Sequence, residues 1–242
     1  MLPSWYLLAP VLLPVLSGLF VGLNKPFGDG KRRDPFTLAA LILNLGALLP
    51  VFIAPSGLRL DLFRLSESLP IFLRTDDTGK YFAGVMALLW ALSGAYSFEY
   101  MERAEHRRRF YSFYLISLGV LMGLCFSGSI ITYYMFYELM TLLTVPLVMH
   151  EMTREAVAAG IKYLIYSVLG ASLVLLGVFL ISPYLSSFDF TAKGVLDTAK
   201  LAGHEGTALT AAFLMLVGFG TKAGMFPLHG WLPTAHPVAP AP

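Results

Sequence analysis

AVAAGIKYLIYSVLGASLVLLGVFLI, residues Ala156–Ile181, runs for 26 residues with one charged side chain, Lys162. A helix rises 1.5 Å per residue, and a bilayer core of ~30 Å takes ~20 mostly apolar residues to cross. The stretch is therefore a membrane-spanning helix. Working outward, six more stretches have the same character: Leu2–Leu23, Phe36–Ile53, Tyr81–Phe98, Phe110–Phe126, Ile130–Met149 and Ala208–Met225. Pro3, Pro10 and Pro14 interrupt the first, which a membrane helix tolerates better than a soluble one. Strand-like alternation is absent from the apolar stretches, which argues against an outer-membrane barrel. The first stretch lacks a basic leader region and is long enough to span, so it is not expected to be a cleaved signal. The fold expected is an all-α membrane protein of about seven transmembrane helices.

Composition agrees. Of 242 residues, 57% are hydrophobic and 13% charged, with a mean hydropathy of +0.70. A soluble domain carries ~25% charged residues. The net charge of +2 is unremarkable and forms no concentrated basic face, so no nucleic-acid partner is expected. The single cysteine, Cys125, forms no intramolecular disulfide and holds no iron–sulfur cluster. It sits in an apolar run and is expected to pack as a small hydrophobe. No Gly-rich nucleotide loop, flavin motif or haem motif is present, and no cofactor is expected in this chain.

The connections alternate in charge. Segments 24–34, 99–109 and 150–155 carry nine cations in 28 residues, among them Lys31, Arg33, Arg107 and Arg109. Segments 54–80, 127–129 and 182–207 carry six in 56 residues. The positive-inside rule places the first set in the cytoplasm and the N-terminus outside. Topology alone accounts for these charge runs. Within 54–80, short alternating apolar stretches suggest a strand or an interfacial turn outside the membrane. The whole of 1–242 is expected to be one transmembrane domain. Residues 1–109 would hold helices one to three with the external 54–80 segment, and residues 110–242 helices four to seven.

Three ionisable residues remain inside spans: Glu138, Lys162 and Lys222. A charge at a helix centre costs ~2.5–3.5 kcal/mol on insertion scales, so such residues mark ion paths or partner contacts. Glu138 is nine residues into its helix, and its stem is too short to reach either surface. Tyr134 and Thr141 share its face. The bland alternative is a protonated glutamate bonding a neighbouring helix. Lys222 lies in GFGTKAGMFP, Gly218–Pro227, where Gly224 and Pro227 break the helix. Backbone freed at such a break lines a wet cavity, and burial there favours the neutral amine. The alternative is a lysine snorkelling to the surface. Lys162, six positions into its helix, is open to the same alternative. His229 and His236 follow the break. A metal site needs a third ligand and none is near, so no metal is expected. Proton shuttling or the packing of an amphipathic turn suits them better. An intramembrane hydrolase would need a serine with a histidine base, but Ser127 and Ser129 fall at the opposite membrane face from His150.

The stretch KAGMFPLHGWLPTAHPVAPAP, Lys222–Pro242, resembles the signature of the antiporter-like proton-translocating subunits. These occur in respiratory complex I as its L, M and N types, in Mrp antiporters as the A and D types, and in membrane-bound hydrogenases. YELMTLLTVP around Glu138 and TDDTGKYF from Thr75 are similar to further stretches of that family. The resemblance implies that Glu138 on the fifth helix pairs with Lys222 on a discontinuous seventh helix, and that Lys162 joins them. The glutamate would move towards or away from the lysine and so drive proton release, fed by redox chemistry in a partner arm or by a sodium gradient. It implies a multi-pass protein of the cell membrane, partnered by other membrane subunits, with no redox centre of its own. This chain has Thr234 where the family motif has Asp. The resemblance also implies an eighth helix and a second repeat beyond the residues present, supplied by a further chain or by a longer form of this one, and a complete conduction path only with them. A structural membrane subunit without transport of its own is the competing reading. The price of keeping Glu138 and Lys222 at mid-membrane argues against it.

Overall fold

The computed structural model describes residues 2–67 and 69–242. Met1 and Ser68, which fall within the stretches 1–109 and 54–80, lie outside the described residues. Seven long helices follow in order: α1 (Ala9–Leu23), α2 (Gly30–Ile53), α3 (Asp77–Tyr100), α4 (Arg107–Cys125), α5 (Ile130–Val148), α6 (Arg154–Ile181) and α7 (Glu205–Ala223). A 3₁₀ turn, Ser4–Leu8, leads into α1. Several helices start before the apolar stretches do, because side chains outside the lipid cap them. Asp29 accepts from Lys31 N ahead of α2, Asp76 from Gly79 N ahead of α3, and Thr153 from Ala156 N ahead of α6.

Six helical segments are long and apolar enough to cross a membrane, with Ser4–Leu23 counted as one. The exception is α4, the helix expected at Phe110–Phe126, which opens on Arg107, Arg108 and Arg109 and is enclosed by other helices over the rest of its length. Almost every residue from Phe110 to Gly123 is buried. Two of its polar groups bond to neighbours: Ser112 Oγ donates to Gly18 O at 2.8 Å, and Tyr114 OH to Trp90 O at 2.6 Å. Small residues let α1 lie directly on it. A Cβ added at Gly119 would stand 2.4 Å from Val11 O.

The 54–80 segment forms an antiparallel hairpin, β1 (Arg59–Ser66) and β2 (Leu69–Arg74), the only strand pair among the described residues apart from isolated bridges. The hairpin fixes one end of the bundle. Leu73 bridges Ser127, Arg74 N donates to Phe126 O, Ser129 bridges Asp189, and Arg59 pairs with Asp189 at 3.4 Å. Segments 54–80, 127–129 and 182–207 therefore meet at that end. At the other end, Arg109 Nη2 donates to His150 O at 2.5 Å and His150 Nε2 contacts Glu105 O. Burial, with the Arg109 charge beside it, holds the His150 imidazole below its usual pKa. Arg33, one of the loop cations, is buried here. It pairs with Asp34 at 2.7 Å and lies over the Tyr111 ring at 4.9 Å.

Candidate functional site: a lysine held by hydroxyls at a helix break

Lys222 is the penultimate residue of α7. Gly224 takes the left-handed conformation at φ 76° and ends the helix. Gly224 N returns to Thr221 O and Met225 N to Gly220 O, the paired bonds of a Schellman ending. Trp231, buried after the break, donates its Nε1 to Thr221 O at 2.8 Å. A one-turn helix, Leu232–Ala235, follows.

The α6 face turned to α7 carries Tyr163, Ser167, Gly170, Val174 and Gly177, all buried and spaced by helical turns. Gly170 and Gly218 meet backbone to backbone: a Cβ on Gly218 would stand 2.4 Å from Gly170 O. That contact draws the Lys222 ammonium onto three hydroxyls. It donates to Tyr163 OH at 2.7 Å, to Thr141 Oγ1 at 2.8 Å and to Ser167 Oγ at 3.5 Å. An ammonium has three donors, and three oxygens take them. The Tyr163 and Tyr137 rings add cation–π contacts at 4.7 and 5.6 Å. A cavity of about 450 Å³ between α5 and α7 borders the lysine and is walled by Tyr133, Tyr137 and Phe219.

Glu138 is half-buried on α5, beside Tyr134. Among the described residues no ion pair joins it to Lys222. Thr141, one turn further along α5, reaches the lysine instead. Lys162 donates to Thr234 Oγ1 at 2.9 Å, so a neutral hydroxyl receives it where the resemblance implies an aspartate. His229 and His236 are exposed and outside the lysine's hydrogen bonds; their rings lie against Phe226 and Trp231. Among the described residues no group of three His, Cys, Asp or Glu is arranged to hold a metal. Ser129 caps the start of α5 and His150 follows its end, with 19 residues or ~28 Å of helix between them, so no serine–histidine pair forms.

Sequence reasoning singled out the charges and missed Tyr163 and Ser167. The usable signal was the polar and small stripe at helical spacing on α6. Hydroxyls are common in membrane helices and draw no attention singly.

Residues 127–242 match the family model described as "NADH:quinone oxidoreductase/Mrp antiporter, TM". Residues 127–242 carry the domain of the antiporter-like subunit family, and relatives named as such subunits are similar over nearly the whole chain. The D-type subunit of the Na(+)/H(+) antiporter of Bacillus subtilis is 25% identical over 243 residues, covering 98% of this chain and 48% of that protein. The N-type subunit of the NADH-quinone oxidoreductase of Desulfitobacterium hafniense is 30% identical over 240 residues, 96% of this chain and 45% of that one. In the structure of respiratory complex I from Thermus thermophilus with bound NADH, one chain shares the fold with a TM-score of 0.76. Its identity is 21%, over 96% of this chain and 47% of that chain. The chain spans about a third to a half of the length of the curated relatives it matches. Glu138, Lys162, Lys222, His229 and His236 all fall inside the stretch that matches the antiporter-like family.

Proposed function

We propose that this chain is an ion-translocating membrane subunit in which Lys222 takes up and releases a proton at mid-membrane. The observation that carries the reading is the hydroxyl cage. A hydroxyl accepts from an ammonium, and after rotating its hydrogen it donates to the lone pair of a neutral amine. A carboxylate in contact would hold the lysine charged. Thr141, Tyr163 and Ser167 accommodate both states, as a carrier that loads and unloads requires. Glu138, on the neighbouring face of α5, biases the balance through its charge: close to Lys222 it favours the ammonium, and withdrawn it favours the amine. Lys162, His229 and His236 extend the path on the far side of the break.

The proton is the ion this chemistry suits, with sodium exchanged or coupled elsewhere. The partners are other membrane subunits of a complex I-like, hydrogenase or Mrp-type assembly in the cell membrane, including the segment that completes the translocation path. Redox chemistry, where there is any, belongs to those partners. The test is ion flux through the assembled protein carrying Lys222→Met, reconstituted in liposomes. Flux is expected to fall to the background of empty vesicles, and parental flux would end this reading.

The same reading orients the bundle, with 24–34, 99–109 and 150–155 in the cytoplasm. Single cysteines placed at exposed positions of 99–109 are expected to resist a membrane-impermeant thiol reagent in intact cells. They should react after permeabilisation. Labelling in intact cells would invert the topology.

A further inference from the structure

Beyond its contact with Lys222, the Tyr163 hydroxyl meets Thr144 Oγ1 at 2.8 Å. The direction of that bond follows from the other contacts. Lys222 can only donate, so the Tyr163 oxygen accepts from it. The single hydroxyl hydrogen of Thr144 is taken by backbone carbonyls of its own helix, Met140 O at 2.8 Å and Thr141 O at 3.2 Å. The Tyr163 hydrogen therefore points to Thr144. The result is an oriented chain, Lys222 to Tyr163 to Thr144, whose members strengthen one another by polarisation.

Thr144 and Tyr163 also line an open cavity of about 340 Å³, together with Val148, Trp231, Ala235, His236 and the segment 239–242. At ~30 Å³ per water it has room for several, and the hydroxyls give them partners. Val148 is the last residue of α5, at the end of the bundle where 99–109 and 150–155 meet. Lys222 is not among the residues that line this cavity, and Tyr163 reaches both.

We propose that Tyr163 and Thr144 relay the proton between Lys222 and water in this cavity. This rests on the reading of Lys222 as the carrier. In the unloading direction an N–H bond of Lys222 breaks as an O–H bond forms on Tyr163. The former Tyr163 proton passes to Thr144 Oγ1. The former Thr144 proton, turned away from the Met140 carbonyl, passes to a cavity water. Lys222 ends as a neutral amine, both hydroxyls are intact, and one proton stands in the cavity. Rotation of the Thr144 hydroxyl from carbonyl to cavity is the gating motion. Trp231 acts as a positioning residue, its ring 5.1 Å from that of Tyr163.

Thr144 is the discriminating residue, because it does not touch Lys222. In the reconstituted assembly, Thr144→Val keeps the shape and removes the hydroxyl. It is expected to slow translocation at least tenfold at parental assembly levels, and Thr144→Ser to recover most of the lost rate. Tyr163→Phe keeps the ring against Trp231 and should slow translocation at least as much. Parental flux in Lys222→Met removes the carrier, and the relay with it. Loss of flux in Lys222→Met with parental flux in Thr144→Val overturns the relay alone. Equal slowing by Thr144→Ser and Thr144→Val also overturns it, since shape and not the hydroxyl would then be at work. Should Tyr163→Phe fail to assemble, the Thr144 pair decides.

Discussion

The double variant Glu138→Gln/Lys222→Met is expected to translocate ions no worse than Lys222→Met alone, while Glu138→Gln by itself lowers the rate at least tenfold. Each charge is expensive in a span, at ~2.5–3.5 kcal/mol on insertion scales. The attraction that offsets this is ~4 kcal/mol at ~4 Å with an effective dielectric of ~20. The two groups stand beyond ion-pair contact, so the attraction here is smaller and acts past Thr141. A weaker coupling suits a switch, because small movements of α5 change it and no contact has to be broken. If both residues serve one step, losing the lysine already stops that step and the glutamate has nothing left to bias. The measurement is flux for the three variants in the reconstituted assembly, alongside assembly yield. Losses that multiply in the double variant would show two independent sites, and the coupled switch would have to be abandoned.

Much of this arrangement was legible in the residues, for physical reasons that differ by element. Six helices announce themselves because lipid offers their backbone no partner and their surfaces must be apolar. The fourth is legible as a helix, but its position at the centre is not. Arg107, Arg108 and Arg109 lower its hydropathy most, with Ser112, Ser117 and Tyr114 adding to it, and only the bundle shows that other helices enclose those three. Glu138, Lys162 and Lys222 stand out because charges in apolar runs are rare. The partners that give Lys222 its chemistry do not, because threonine, serine and tyrosine are ordinary in such helices. Their convergence depends on the packing of α6 on α7, a pairing of two helices that no single periodicity encodes. Thr234 was visible as a departure from the family motif. That its hydroxyl would still receive Lys162 was not.

Replacing Gly218 with leucine is expected to disable the site without touching any residue in it. α6 and α7 approach closely because Gly170 and Gly218 face each other. A Cβ on Gly218 would stand 2.4 Å from Gly170 O and 2.7 Å from Val174 Cγ2. The nearer of these is backbone and cannot rotate away, so the helices must part. Overpacking of this kind costs ~1–3 kcal/mol. The functional loss should be larger. Lys222 lies one turn beyond Gly218 on the same face, and its bond to Ser167 is already 3.5 Å long. A separation of ~1 Å would break that bond and stretch the one to Tyr163, and misplacement on this scale can lower a rate ~100-fold. Gly46, with nothing within 4 Å of its added Cβ, is the control: Gly46→Leu should leave flux and stability close to parental. The measurements are thermal unfolding in detergent and flux in liposomes. Gly218→Leu should lower both, flux far more than stability. If it unfolds early but still translocates at the parental rate, the lysine does not depend on the α6–α7 seam, and the hydroxyl cage would not be what positions the proton.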